Sequence, residues 1–379
     1  MAGIYIHIPF CKQACHYCDF HFSTSVKNKE TFLHALNKEI ELQKKYLNNE
    51  KIGTIYFGGG TPSILSQSDL GFIFDKLYNT FEISKDAEIT LEANPDDLTK
   101  NKITELKSLP INRLSIGIQS FLDEDLKWMN RAHTSKEAVY SVKLAQDAGL
   151  DNITIDLIYG LPALSNQNWK NNLQQAFELN LNHISAYCLT VESKTALADF
   201  IKNGKIKNVD EQQSAEQFEI MLDEMNNAGF VQYEISNFCK NDAYSKHNSN
   251  YWLKENYLGL GPSAHSFNGT TRHWNVSNNT QYIQSLEKNE LKFELEHLTN
   301  TQRYNEYILT SLRTIWGSDL KSIEKNFGSD LLSYCLNEAE KYIHENKIIK
   351  KENKLFLTNQ GKLLADKIAS DLFKVSSKN

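Results

Sequence analysis

Three cysteines near the start of the chain, Cys11, Cys15 and Cys18, form a C-x3-C-x2-C run. Thiols spaced so closely are seldom all structural, whereas a metal ion or an iron–sulfur cluster can use all of them. A [4Fe-4S] cluster has four irons, so three cysteine ligands would leave one iron open to a small molecule. Zinc is the alternative, with His16 or His21 as a fourth ligand.

Other chemically distinctive residues lie at the ends of predicted strands. Three glycines, Gly58–Gly60, follow the strand-like run 52–57. Glycine has no Cβ, so the backbone there can approach a ligand closely, and we expect it to hold a polar group such as an amino-acid end. Glu92, Gln119 and Asp156 lie at or near the ends of three later strand-like runs.

The order of predicted elements explains why these residues would meet. Strand-like and helical runs alternate through the first 230 residues, which predicts parallel strands with right-handed crossovers. In barrels of this kind the chemistry lies at the carboxyl ends of the strands. Six units, instead of eight, predict an open, partial (β/α)6 barrel. The strands are predicted at 4–8, 52–57, 88–92, 113–118, 152–158 and 183–189, and the helices at 28–48, 67–80, 99–108, 135–148, 166–179 and 211–228.

The rest of the chain is predicted to add two smaller parts. Residues 231–290 look irregular and are rich in Asn, Tyr, Trp and His. The later helical runs, the short hairpin and the final helix resemble a winged-helix module. It lacks a basic recognition helix, so we expect it to pack or to act as a lid. We therefore assign 1–230 to the barrel, 231–295 to a barrel extension and 296–379 to this module, with helices at 301–315, 319–326, 330–345 and 359–373 and strands at 348–350 and 355–357.

Composition excludes several functional classes. Of 379 residues, 40% are hydrophobic and 23% charged, which is typical of a globular protein with a large core. The net charge of −6 argues against a nucleic-acid partner. No apolar run is long enough to span a membrane and no signal peptide is apparent, so the cytoplasm is the predicted location. Cys188, Cys239 and Cys335 stand alone and are predicted to be small buried side chains.

The motifs resemble those of a known superfamily. The cysteine run, with Tyr17 before its last cysteine, resembles the signature of radical S-adenosylmethionine (SAM) proteins, and Gly58–Pro62 resembles their GGE-type motif in the form GGGTP. From residue 4 to about 370 the chain is similar to the oxygen-independent coproporphyrinogen III oxidase-like family. The further runs that carry this likeness are Tyr5–Phe10, Glu92–Pro95, Gly117–Ser120, Asp156–Pro162 and Leu357–Gly361.

The resemblance implies a cofactor arrangement. Cys11, Cys15 and Cys18 would hold a [4Fe-4S] cluster, and SAM would chelate the open iron through its amino and carboxylate groups. The cluster would give one electron to the sulfonium and release a 5′-deoxyadenosyl radical. Without the resemblance, Glu92 and Asp156 could as well be solvated strand ends. The positions implied to contact SAM are Tyr5, Tyr17, Gly59, Gly60, Thr61, Glu92, Gln119, Arg131 and Asp156.

Two features place the chain nearer to one subgroup of that family. The coproporphyrinogen III dehydrogenases of that family carry a further cysteine where this chain has Phe20. They also carry an N-terminal extension, which we expect to be absent here because Tyr5 is only the fifth residue. Both features, and the HNxxYW run of His247, Tyr251 and Trp252, resemble the heme-chaperone subgroup.

The HNxxYW run implies a heme site. A neutral imidazole such as that of His247 is a good ligand for heme iron, and Tyr251 and Trp252 could pack on a porphyrin face. The alternative is a histidine whose hydrogen bonds are satisfied by the surrounding loop, with aromatic side chains that fill a core. His265 and His273 are rival ligands.

The resemblance therefore implies a radical SAM heme chaperone that binds a [4Fe-4S] cluster, SAM and heme and passes heme to respiratory-chain hemoproteins. The alternative is an oxygen-independent coproporphyrinogen III dehydrogenase. A zinc-stabilised binding module is a third hypothesis, although it leaves the glycines and Glu92 unexplained. A membrane contact would be peripheral, a homodimer is compatible with the sequence, and SAM cleavage in the physiological cycle is left open.

Overall fold

Six parallel strands lie side by side in the centre of the computed structural model, which describes residues 1–375. They are β1 (Ala2–Ile8), β2 (Ile52–Gly59), β3 (Ile83–Ala93), β4 (Arg113–Gln119), β5 (Ile153–Tyr159) and β6 (His183–Cys188). Eight helices accompany them: α1 (Lys29–Leu42), α2 (Gln67–Thr80), α3 (Lys100–Lys107), α4 (Asp123–Trp128), α5 (Ser135–Asp147), α6 (Asn166–Glu178), α7 (Ala196–Lys202) and α8 (Glu211–Asn227). The strands are ordered as in the sequence, so the predicted strand–helix alternation is confirmed.

The residues of β1 explain why this segment forms a strand and why the strand ends at Ile8. Ile4, Ile6 and Ile8 are fully buried on one face and His7 is buried on the other, as expected of a strand whose faces are both covered. Pro9 follows and ends the strand, since it has no N–H to donate to a neighbour. The chain then turns into the cysteine segment, where Phe10 packs edge-on against Phe32 of α1 with ring centroids 5.3 Å apart.

The expectation that residues 231–290 are irregular is wrong. They contain α9 (Lys246–Trp252) and α10 (Asn279–Glu287), and with residues 293–297 they add six strands to the two edges of the sheet. These strands have only three to five residues, too few to give a periodic pattern. On the β6 side lie β7 (Val231–Glu234) and β8 (Asn237–Cys239), and on the β1 side lie β9 (Tyr257–Leu260), β10 (His265–Phe267), β11 (Thr271–Asn275) and β12 (Phe293–His297).

The last part of the chain has a second apolar core and a three-stranded antiparallel sheet. The predicted helices and hairpin are confirmed, except that the final helix is two short ones. Across residues 1–375, no helix has the length and apolar character needed to cross a membrane. The elements are α11 (Asn300–Leu312), β13 (Ser318–Asp319), α12 (Leu320–Phe327), α13 (Ser329–His344), β14 (Ile348–Lys351), β15 (Lys354–Leu357), α14 (Asn359–Lys362) and α15 (Ala365–Asp371).

Candidate functional site

A large cavity of about 1160 Å³ opens at the carboxyl ends of the central strands. Its size exceeds that of most small-molecule pockets, so it has room for more than one group. The structure brings most of the residues singled out in the sequence to its walls. They are Cys11, Cys15, Tyr17, Cys18, Gly59, Gly60, Thr61, Glu92, Gln119, Arg131 and Asp156.

The glycine segment holds the cysteine segment in place. The amide of Gly60 donates to the carbonyl of Ile8 at 2.8 Å, and that of Thr61 to the carbonyl of Phe10 at 2.7 Å. A Cβ on Gly60 would lie only 2.6 Å from the carbonyl oxygen of Phe10. Glycine is therefore required at this position for the approach of two backbone segments. The amides of Gly60 and Thr61 are not free for a ligand, so the expected backbone contact with a ligand would use other groups of Gly58–Gly60.

Two of the three sulfurs accept a hydrogen bond. The Thr61 hydroxyl donates to Cys11 Sγ at 3.5 Å, and Arg131 Nη1 donates to Cys15 Sγ at 3.4 Å. Burial raises the pKa of the Cys11 thiol, and raises that of Cys18 to about 12. The thiols of Cys11 and Cys18 are thus protonated near neutral pH, and binding of iron would displace their protons.

Asn94, which the site prediction missed, contacts both side chains that donate to the sulfurs, Arg131 and Thr61. Arg131 Nη2 donates to Asn94 Oδ1 at 2.7 Å and to the carbonyl of Gly117 at 2.8 Å. Asn94 Nδ2 in turn donates to Thr61 Oγ1 at 3.3 Å. The sequence run 92–95, which carries part of the family resemblance, could have pointed to Asn94, but only Glu92 of that run was assigned a role.

Two of the carboxyl groups that line the cavity, those of Glu92 and Asp156, are buried. Burial raises the pKa of Glu92 to about 7 and that of Asp156 to about 6. Tyr56 donates to Glu92 at 2.8 Å, and Ser115 to Asp156 at 3.3 Å. Among residues 1–375, neither carboxyl forms an ion pair with a lysine or an arginine. Arg113 and Arg131 offset part of the effect of burial on the pKa of Asp156, whereas no lysine or arginine of the described residues does so for Glu92. Buried acids of this kind suit a cationic ligand, such as one with a sulfonium or an ammonium group.

The arrangement of the thiols bears on the kind of metal centre. In the described part of the chain, no group of three or more His, Cys, Asp or Glu side chains is placed to hold a metal ion. Cys11, Cys15 and Cys18 all line the large cavity. A [4Fe-4S] cluster does not need them to converge on one point, because each cysteine binds a different iron.

Tyr5 is the one predicted SAM contact that does not line the large cavity. It lines a smaller pocket of about 290 Å³ beside it, and its ring stacks on that of Tyr56 with centroids 6.2 Å apart. Asp19 and Phe20 line both pockets. The segment that follows the last cysteine therefore separates the two spaces.

His247 has the environment of a histidine satisfied by its neighbours. It is 2% exposed, with Nδ1 2.8 Å from Thr54 Oγ1 and Nε2 2.9 Å from the Tyr251 hydroxyl. Its ring stacks on Tyr56 at 5.0 Å, and burial lowers its pKa to about 3. Both ring nitrogens are thus occupied, and neither is open to heme iron in this conformation.

The other members of the HNxxYW run lie apart from one another. Tyr251 lines the smaller pocket, whereas Trp252 lies beneath Arg313, whose guanidinium carbon is 5.6 Å from its ring centroid. The three residues predicted to contact heme therefore do not form one site.

Some walls of the large cavity were not predicted from the sequence. Cys239 and Cys335 are buried as predicted, but the prediction for Cys188 is wrong, because its side chain is exposed and lines the cavity. Arg313 and residues 362–367 of the C-terminal part form a further wall. No local pattern marks these residues, because their role depends on contacts between distant parts of the chain.

Comparisons with known proteins assign the chain to a family. The model of the radical SAM superfamily matches residues 5–176, and that of the HemN C-terminal domain matches residues 298–364. The heme chaperone HemW of Bacillus subtilis is 34% identical over 371 residues, which cover 97% of this chain and 98% of that protein. The chain belongs to the HemW family of radical SAM proteins. The resemblance inferred from the motifs is thereby confirmed.

Other HemW proteins support the assignment. The Mycobacterium tuberculosis protein is 31% identical over 98% of this chain and 94% of its own, and the Escherichia coli protein is 37% identical over 69% of each. The solved structure of the E. coli coproporphyrinogen III oxidase HemN, a radical SAM enzyme, superposes with a TM-score of 0.86 over 98% of this chain and 90% of its own. At 22% identity, that likeness shows the radical SAM fold alone.

Proposed function

We propose that this protein is a radical SAM heme chaperone. It would hold a [4Fe-4S] cluster on Cys11, Cys15 and Cys18, bind SAM in the large cavity, bind heme, and transfer that heme to a hemoprotein. The observation that carries the proposal is the meeting of three thiols and two buried acids in one cavity, in a chain related over almost its whole length to proteins named heme chaperones.

The cavity residues have distinct roles in this proposal. A bound cluster would supply the electron for reductive cleavage of SAM. Glu92 would face a cationic group of SAM. Asp156 would accept hydrogen bonds from the hydroxyl groups of SAM. Arg131 would orient Cys15 and, with Tyr17, Gly59, Gly60, Thr61 and Gln119, line the SAM site.

Metal analysis tests the cluster. Anaerobically purified protein should contain iron and sulfide in nearly equal amounts, and Cys15→Ala should lose most of both. Cys239→Ala, which changes a buried cysteine outside the cavity, is the matched control and should keep them. Stoichiometric zinc in place of iron would refute the cluster.

Heme binding and transfer test the chaperone function. Titration of the cluster-loaded protein with heme should produce a Soret band, and the heme should then move to an added apo-hemoprotein. We propose respiratory-chain hemoproteins as the recipients, approached in the cytoplasm through a peripheral contact with the membrane. A protein that binds no heme, or never releases it to an acceptor, would contradict the proposal.

The enzymatic alternative is favoured by the shared fold with the coproporphyrinogen III oxidase. It is disfavoured by Phe20, which stands where the family resemblance implies a cysteine in the dehydrogenases and is 66% exposed beside the cluster segment. Anaerobic incubation with coproporphyrinogen III, SAM and a reductant decides between the two. Clear formation of protoporphyrinogen IX would establish the enzyme, and none is expected.

A further inference from the structure

The smaller pocket lies beside the large cavity, at the edge where β1 pairs with β9. Its volume of about 290 Å³ is at the lower end for ligand pockets. Four aromatic rings and three histidines dominate its walls. The lining residues are Tyr5, His7, Asp19, Phe20, His21, Tyr251, Tyr257, Ser263 and His265.

His265 differs from the other histidines of this pocket. It is exposed, and among residues 1–375 neither of its ring nitrogens makes a hydrogen bond; its ring stacks on Trp274 with centroids 5.9 Å apart. His7 is buried, with Nδ1 near the Tyr5 hydroxyl and Nε2 2.7 Å from the carbonyl of His21. His21 has one ring nitrogen occupied, because its Nε2 lies 2.7 Å from Asn279 Oδ1. His265 is therefore the imidazole in this pocket with both nitrogens open to a ligand.

The backbone around His265 is firmly held. A Cβ on Gly259 would lie 2.0 Å from the carbonyl oxygen of His265, and the Ser266 hydroxyl is 2.9 Å from the amide of Gly259. The buried Glu39 of α1 accepts from the amide of Gly261 at 2.8 Å. Such support fixes the backbone that carries His265, and the stacking on Trp274 restrains its ring, as a ligand-binding residue requires.

The remaining walls suit a flat, apolar ring. Phe20 is a large apolar side chain that is 66% exposed, so its ring is accessible to a ligand in this pocket. Tyr5, Tyr251 and Tyr257 add further ring surface, and aromatic side chains stack on extended π systems. Imidazole beside aromatic rings is the combination that binds an iron porphyrin.

We infer that the heme of the proposed function binds at this smaller pocket, with His265 as a ligand of its iron and Phe20 against the porphyrin face. The inference rests on the proposed function and names the site that it requires. The pocket is too small to enclose a porphyrin, and no lysine or arginine lines it among the described residues, so the propionates would extend into solvent. An exposed edge suits a carrier that must release its cargo.

The same geometry gives His247 a different role from the one predicted. Through its hydrogen bond to the Tyr251 hydroxyl, it holds a wall of the smaller pocket in position. His247 is then a positioning residue and His265 the ligand, and the two roles have different spectroscopic consequences.

Heme titration of cluster-loaded, full-length protein tests the inference, with absorption and electron paramagnetic resonance spectra as readouts. His265→Ala should weaken heme binding at least about tenfold, because even outer-shell changes cause such losses at metal sites, and should abolish the histidine-ligated signature. Added imidazole should restore that signature in His265→Gly. His247→Ala should weaken binding but keep the signature. His34→Ala, on the exposed surface of α1, is the control and should behave as the wild type.

Each outcome decides a different question. If the wild type binds no heme, both the proposed function and this site are wrong. If the wild type binds heme and His265→Ala binds it equally well with the same spectrum, the function stands and the site is refuted. Loss of the signature in His247→Ala or His21→Ala instead of His265→Ala would also refute the assignment of the ligand.

Discussion

Arg131 is positioned by two oxygen acceptors before it reaches the cysteine segment. Asn94 and the carbonyl of Gly117 hold one of its terminal nitrogens, which leaves the other to donate to Cys15 Sγ. A hydrogen bond from a cation to a thiolate stabilises the more negative, reduced state of an iron–sulfur centre. We therefore expect Arg131, which lines the cavity, also to tune the reduction potential of the proposed cluster.

Replacement of Arg131 by Met should lower the reduction potential of the cluster. A charge-assisted hydrogen bond contributes about 1.5–3 kcal/mol, and only part of this differs between oxidation states, so the expected shift is on the order of 50 mV for one electron. Redox titration monitored by electron paramagnetic resonance measures it without any need for turnover. Lys127→Met, on the nearby helix α4, is the matched loss of charge and should shift the potential far less. Equal shifts in the two variants would assign the effect to net charge and not to the hydrogen bond.

At the scale of elements, a single carboxyl of α1 ties the helix to the strands added beside β1. Glu39 is buried and accepts from the Tyr282 hydroxyl at 2.6 Å, from Asn275 Nδ2 at 2.6 Å and from the amide of Gly261 at 2.8 Å. Burial outweighs these three donors and raises its pKa from 4.5 to about 7. The turn at Gly261, which leads into the strand of His265, thus depends on a group that titrates near neutral pH.

Glu39 should make the stability of the protein fall as pH rises. Below about pH 4.5 the carboxyl is protonated in both the folded and the unfolded chain; between about 4.5 and 7 the unfolded chain ionises first, so the free energy of unfolding decreases. The full effect is on the order of 3 kcal/mol. Urea unfolding of Glu39→Gln at pH 5 and pH 8 should show its stability relative to the wild type rising with pH. Glu30→Gln, exposed on the same helix, should show no such trend, and a flat difference for Glu39→Gln would contradict the prediction.

Local patterns were enough to predict the six central strands and the cysteine segment, because apolar periodicity and motif spacing are properties of neighbouring residues. The environment of His247 is not local: its two hydrogen-bond partners lie 193 residues before it and four residues after it. For the same reason, the wall formed by residues 362–367 could not be assigned from the sequence. The short strands β7–β12 were missed because each has too few residues to show a period.

At the scale of the whole molecule, the large cavity is walled by both apolar cores. Residues 362–367 belong to the C-terminal part, yet they line the same space as the cysteines. Arg313 connects the two parts. Its Nε donates to the buried Glu234 of β7 at 3.1 Å, its Nη1 pairs with Asp366 of α15, and its guanidinium lies over Trp252. The amide of Ile315 adds a backbone hydrogen bond to Tyr233 at 2.9 Å.

Removal of the Arg313 guanidinium should loosen this wall of the cavity. Arg313→Ala leaves the carboxylate of Glu234 buried without its cation, and loss of one partner of a buried pair costs about 3 kcal/mol, less here because Arg313 is partly exposed. Hydrogen exchange read by mass spectrometry should then speed up in residues 359–371 while the central strands stay protected, since local opening is governed by local contacts. Lys321→Ala, at an exposed position of α12, should leave the exchange pattern unchanged. If hydrogen exchange in residues 359–371 of Arg313→Ala matches that of the wild type, apolar contacts hold this wall of the cavity, and Arg313 does not.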